Sequence, residues 1–236
     1  VKLSVLERLL EARRAGQPVA LVTDLADGRQ ALVGPDGAAG ELDLSAAEHA
    51  ALEGAFAADR CVTIETGTRS LFLEVWNPPL RLVVIGGVHI AQALVPMAEA
   101  AFYRTIVVDP RQAFGSPARF PGVEIVNDWP DAALARIQPD KRTAIVALTH
   151  DAKLDDPALE AALRSPAFYI GALGSRRNHA QRCARLSEKG FAPAEIARVR
   201  GPVGLAIGAV SPAEIAISIL AEMTAVLRGA AVPARG

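Results

Sequence analysis

The chain has 236 residues, 51% of them hydrophobic and 22% charged, with 25 Lys and Arg against 26 Asp and Glu. A net charge of −1 argues against nucleic-acid binding through bulk charge, and the length suits one large domain or a main domain with a small companion. Cys61 and Cys183 stand in no CxxC or CxxH spacing and the four histidines in no ligand pattern, so neither a disulfide scaffold nor a metal site is expected. No apolar run reaches the roughly 18 residues of a membrane span and no secretory pattern is seen, which makes a reducing, cytoplasmic setting the expectation.

Taken in chain order, Leu3–Arg14 repeats apolar residues at helical spacing and predicts an amphipathic helix stopped by Gly16 and Pro18. Val19–Thr23 and Gln30–Val33 are strand candidates, the second followed by a Gly34-Pro35-Asp36-Gly37 turn. Leu44–Ala57 predicts a helix with Asp43 or Ser45 as cap, and Cys61–Thr66 and Ser70–Trp76 predict a hairpin about Gly67-Thr68. Asn77-Pro78-Pro79 breaks the chain. The domain boundary is placed there, with residues 1–79 a small α+β domain and residues 80–236 the main one.

The main domain changes character. Leu82–Ile85 is a continuous apolar run, as a strand covered on both faces requires. A helix over His89–Ala101 follows, with Pro96 inside it as a potential kink. Strands are predicted at Thr105–Val108, Glu124–Val126, Thr143–Leu148 and Ala167–Ala172, with a short helix over Ala132–Ile137 between the second and third of these. Asp156-Pro157 reads as the opening of a helix, Ser175 as the cap of a basic helix reaching Lys189, and Ser211-Pro212-Ala213-Glu214 as a capping box for a helix to Arg228. That last helix is apolar nearly all round and reads as buried, so Glu222 inside it needs a partner. Strands alternating with helices define the fold class: α/β, a Rossmann-like doubly wound parallel sheet preceded by a small α+β N-terminal domain.

Ligands of open parallel sheets bind beyond the carboxyl ends of the strands, so the residues there are the candidate site. The stretch Arg81–Asp109 has the outline of a mononucleotide-binding βαβ unit, with Gly86-Gly87 as its turn and Asp109 placed 23 residues past Gly86, near the spacing of a ribose-binding acid. Val88 stands where G-x-G-x-x-G wants its second glycine, which weakens a pyrophosphate grip. His89 lies in a first helical turn, where a cation is disfavoured. Arg111, His150 and Asp151 follow the next strands. Gly171, Gly174, Ser175 and Arg176 form a second candidate anion site, in a run (residues 175–200) that holds seven Lys and Arg against two Asp and Glu. Ser175 as a plain cap with solvated arginines is the competing reading. No catalytic acid–base pair stands at a recognisable spacing. Gly201–Gly208 reads as a loop, either lining the site or merely connecting.

The blocks GGVHIAQAL, VVDPR, ALTHDAKLDDPALEAAL, YIGALGSRRNHAQR and GPVGLAIGAVSPAEIAISILAEM, in this order, resemble the Rossmann domain of the XdhC/CoxI/CoxF family over roughly Leu80–Arg228. The resemblance implies a maturation accessory protein, more a cofactor-insertion chaperone than an enzyme. It implies binding of molybdopterin, the molybdenum cofactor, and delivery to an apo molybdenum hydroxylase of xanthine or CO dehydrogenase type. A homodimer and a cysteine desulfurase partner are further implications. The family's Gly-Ser-x-Pro-Arg and Gly-Gly-Gly-Cys-Val-Glu segments are absent from residues 1–79, so no cofactor role passes to Cys61. Two other readings stand beside it: an NAD(P)-dependent oxidoreductase in which Asp109 favours NAD, and a regulatory protein docking through the acidic residues 1–80, which hold seven Lys and Arg against twelve Asp and Glu.

Overall fold

The computed structural model describes residues 3–67 and 69–231, and the chain divides into two compact units, Val1–Pro78 and Pro79–Gly236. The first unit is a five-stranded antiparallel sheet in the order β3-β2-β1-β5-β4, built from β1 (Val19–Asp24), β2 (Gln30–Gly34), β3 (Gly37–Gly40), β4 (Val62–Thr66) and β5 (Arg69–Trp76). Side chains alternate along a strand, so β1 serves two cores. Val19 and Leu21 meet the cluster that includes Leu9 of α1 (Leu3–Arg14), while Ala20 and Val22 meet the one that includes Leu52 and Ala55 of α2 (Ala46–Ala58). Of the two caps considered, Ser45 caps α2, in a full capping box with Glu48. The expected hairpin is β4–β5, although Thr68 of its turn lies outside the described residues.

Glu48 does more than cap. Its carboxylate accepts from the Ser45 N–H and hydroxyl, from Thr66 Oγ1, and from Arg69 Nε and Nη2 at 2.8 and 2.6 Å. The Arg69 hydrogen bonds outweigh the opposing effect of burial and hold the carboxyl well below the usual glutamate range. The start of α2 is thereby pinned to the β4–β5 hairpin.

The second unit holds six parallel strands in the order β11-β10-β9-β6-β7-β8. They are β6 (Leu80–Ile85), β7 (Tyr103–Val108), β8 (Glu124–Val126), β9 (Thr143–Ala147), β10 (Tyr169–Ala172) and β11 (Val199–Arg200). Leu82, Val84, Val107 and Val146 pack on one face against α3 (His89–Ala100) and α8 (Pro212–Leu227). Val83, Ile85, Val108 and Ile145 pack on the other against α4 (Pro130–Ile137), α5 (Ala152–Leu163) and α6 (Arg176–Glu188). Both faces are covered, which is why these strands read as unbroken apolar runs.

Several expectations are corrected here. Helix α5 begins at Ala152 with Asp151 as its cap, and Pro157 lies inside it rather than at its first position; the earlier cap captures the chain first, and Pro157 merely forgoes one intrahelical donor. Likewise α3 runs on through Pro96. Helix α8 buries one face only: Ala216, Ile219 and Met223 are inside and Ile217 is half exposed. The sequence reading also missed β3, β11 and the short α7 (Pro193–Ile196). Glu222 does find the partner its burial calls for. It lies 3.5 Å from Arg200 and also accepts from the Tyr169 hydroxyl and from the Gly204 N–H, which ties the Gly201–Gly208 loop down.

Candidate functional site

The strand order reverses between β6 and β9, neighbours in the sheet whose chain continuations leave in opposite directions. A crevice at this topological switch point is the ligand site of doubly wound sheets. Its rim is made from the turns after β6, β7, β9 and β10.

After β6, Gly86 adopts φ +102 with Thr149 against the side where a Cβ would stand. The next residue, Gly87, immediately precedes Val88, the position where a dinucleotide's pyrophosphate needs a bare backbone. Here a Cβ at Gly87 would collide with the Phe114 carbonyl, because the segment after β7 folds back over the turn. Arg119 Nη2 holds that segment by donating to Gly87 O and to Gln92 Oε1, both at 2.9 Å, and the Arg111 and Arg119 guanidinium groups lie 4.2 and 5.6 Å from the Phe114 ring centre. The sequence reading missed this strap, and Phe114 between two arginines was its available signal.

Asp109 is fully buried. Its Oδ1 accepts from the Arg111 N–H and Nε, and its Oδ2 from the Gly87 N–H at 2.8 Å and Arg111 Nη2. A carboxylate has about four acceptor sites, so none remains for a ribose hydroxyl, contrary to the role its spacing suggested. Burial acts to raise its pKa, but the Arg111 and Gly87 donors outweigh this and hold the carboxyl below its usual range. Val88 caps α3 without a side-chain bond and His89 is exposed beside it.

After β9, His150 takes φ +61, a left-handed conformation that costs a non-glycine residue about 1–2 kcal/mol. It is exposed, as is Asp151, whose carboxylate caps α5 at Lys153 N. The two side chains are presented outward rather than paired. Thr149 Oγ1 donates to Asp155 Oδ1 at 2.6 Å.

After β10, Gly171 is not in the turn at all. It is paired within β10, where a Cβ would strike Val203 and Tyr169, so its role is close packing. Gly174 has φ +145 and Ser175 caps α6 by accepting from Asn178 N, with Arg176 exposed as the first helical residue. Beneath them lies a buried pair absent from the sequence reading. Arg182 is 5% exposed and Asp155 1%; Arg182 Nη2 stands 3.5 Å from Asp155 Oδ2 and donates to Leu173 O at 3.0 Å. Among the described residues, Arg182 Nε and Nη1 and Asp155 Oδ2 have no hydrogen-bond partner. Burial pushes the Asp155 carboxyl above its usual range, against the Thr149 and Arg182 contacts.

The structure thus gathers Gly86, Gly87, His89, Asp109, Arg111, His150, Asp151, Gly174, Ser175 and Arg176 at the strand ends, and places Gly171 in the sheet. A parallel sheet of this order with a glycine turn at its reversal defines a Rossmann-type binding domain. Residues 82–223 match the family model described as the XdhC Rossmann domain. The chain belongs to the XdhC family, as its motif blocks had suggested.

Among its relatives is the molybdenum cofactor insertion chaperone PaoD of Escherichia coli (strain K12), 33% identical over 151 residues, which cover 64% of this chain and 41% of that protein. Another, from Bacillus subtilis (strain 168), is named as a probable xanthine dehydrogenase subunit. It is 31% identical over 157 residues, 66% of this chain and 46% of that protein. The chain therefore spans less than half the length of these two relatives. A solved structure of a xanthine dehydrogenase from Bacillus halodurans is similar with a TM-score of 0.74 at 26% identity, covering 96% of this chain and 67% of that one.

Proposed function

We propose that this chain serves the maturation of a molybdenum hydroxylase of xanthine or CO dehydrogenase type, holding the phosphorylated pterin–molybdenum cofactor over the strand ends of its Rossmann domain and passing it to the apoenzyme. The observation that carries this reading is membership of the XdhC family together with a relative named as a molybdenum cofactor insertion chaperone. The site supports it. The glycine turn is occupied at Gly87 by the chain's own Asp109 carboxylate and Phe114 carbonyl, whereas His89, His150 and Asp151 stand exposed at the rim, able to meet the polar edge of a pterin. The cofactor is cargo, and the chain's part is to bind it, shield it and release it.

Mass spectrometry of the protein produced together with a molybdenum-cofactor pathway tests the reading. A bound pterin is the expected result. A nicotinamide dinucleotide in its place, or a client hydroxylase that fills with molybdenum in a strain lacking this protein, overturns it.

A further inference from the structure

We infer that the turn between β10 and α6 is a phosphate subsite, with the buried guanidinium of Arg182 as its floor, that takes a phosphate monoester or diphosphate. The inference rests on the reading of the strand ends as the cargo site and names which end of the cargo goes where.

The observation behind it is a charge that the fold leaves half satisfied. Arginine keeps its proton throughout the accessible pH range and carries five N–H donors. Arg182 is buried, yet Nε and Nη1 have no acceptor among the described residues. Its counter-charge is weak. Asp155 gives one oxygen to Thr149 and keeps the other 3.5 Å away, and its carboxyl is pushed toward the neutral form by burial. Buried polar groups are ordinarily paired, so two orphan donors on a fixed cation point to an anionic acceptor.

The helix geometry aims that cation at the turn. Arg182 lies seven residues after Ser175, two helical turns along the same face. Helical side chains lean toward the N-terminus, and Arg182 reaches Leu173 O there. Gly174 completes the cradle: the space its side chain would fill borders Arg182 Nη1 at 3.9 Å. Above it, the first-turn N–H groups of Arg176 and Arg177 have no intrahelical acceptor, and Ser175 Oγ already satisfies that of Asn178.

At the neighbouring starts of α3 and α5 the chain itself supplies an acid. At α3 the Gly87 N–H is taken by the Asp109 carboxylate. Helix α5 opens with the acid Asp151 as its cap, which disfavours an anion there. Helix α6 has no acid in its first turn.

The test uses inorganic phosphate and pyrophosphate as probes on the full chain, followed by calorimetry and thermal shift at low ionic strength. Ser175→Asp and Ser175→Asn both keep a side chain that caps α6, so both are expected to fold, but only the first places a negative charge in the cradle. Phosphate is expected to bind the parent and Ser175→Asn alike, and Ser175→Asp about tenfold or more weakly. Arg182→Lys, which keeps the charge and loses the fork, is expected to fall between them. No phosphate binding by the parent, or equal binding by the two Ser175 variants, overturns the inference. Failure of the functional reading looks different: phosphate binds with the expected pattern while no pterin accompanies the purified protein.

Discussion

Tyr169 of β10 and Glu222 of α8 are joined by a 2.6 Å hydrogen bond with both side chains out of solvent. That bond, with the Gly204 N–H and Arg200, fastens the last helix to the sheet beside the β10–α6 turn. Tyr169→Phe removes one donor from a buried carboxylate. It is expected to lower unfolding stability by roughly 1–3 kcal/mol, read from the denaturant midpoint at unchanged slope.

Gly87→Ala drives a methyl group into the Phe114 carbonyl. Either the glycine turn or the strap must move, and a loss of roughly 1–3 kcal/mol is expected. Hydrogen exchange localises it: residues 110–120 are expected to lose protection, whereas Arg119→Ala, which removes the bonds to Gly87 and Gln92, loosens the same segment without forcing a side chain into the turn.

Gly54 is the opposite case. It lies inside α2 with nothing within 4 Å of the added Cβ. Gly54→Ala is expected to stabilise the protein by about 0.5–1 kcal/mol, seen as a raised thermal midpoint.

The acid limb of the stability curve belongs partly to Glu48. Its folded pKa is depressed below the ordinary 4.5 of a glutamate, so its stabilisation is full above that value and is lost as pH falls through the folded pKa. Glu48→Gln leaves Arg69 with a neutral partner. It is expected to cost roughly 3 kcal/mol at neutral pH and to flatten the loss of stability below pH 4.5, measured by denaturant titration across the acid range.

What could be read from the sequence was local. Ser45, Ser175 and Ser211 announce their helices because a cap needs only the next few residues. The parallel sheet was legible because burial on both faces leaves continuous apolar runs. Strand β11 has two residues and takes its identity from pairing with β10, which no local pattern carries. Gly171 was read as a turn residue because the neighbours that forbid it a side chain, Val203 among them, are remote in sequence. Asp109 stood at a meaningful spacing, but its acceptors go to Gly87 and Arg111. The Asp155–Arg182 pair did leave a trace. Asp155 interrupts the apolar stripe of Leu154, Ala158, Leu159 and Ala162, and Arg182 precedes Leu186 by one turn on the buried face of α6. A charge inside a helical stripe demands an opposite charge from another element.

The strap over Gly87 bears on how such a domain changes trade. Here the fold supplies its own anion and its own covering peptide at Gly87, one residue before the position a dinucleotide's pyrophosphate would approach. Val88→Gly restores the glycine spacing and nothing else, and NAD binding is expected to stay below detection by calorimetry. Acquiring it would require Val88, the Asp109–Arg111 pair and the Phe114 segment to change together. Since each of these parts holds its own place at the turn, no single substitution among them opens it to a dinucleotide.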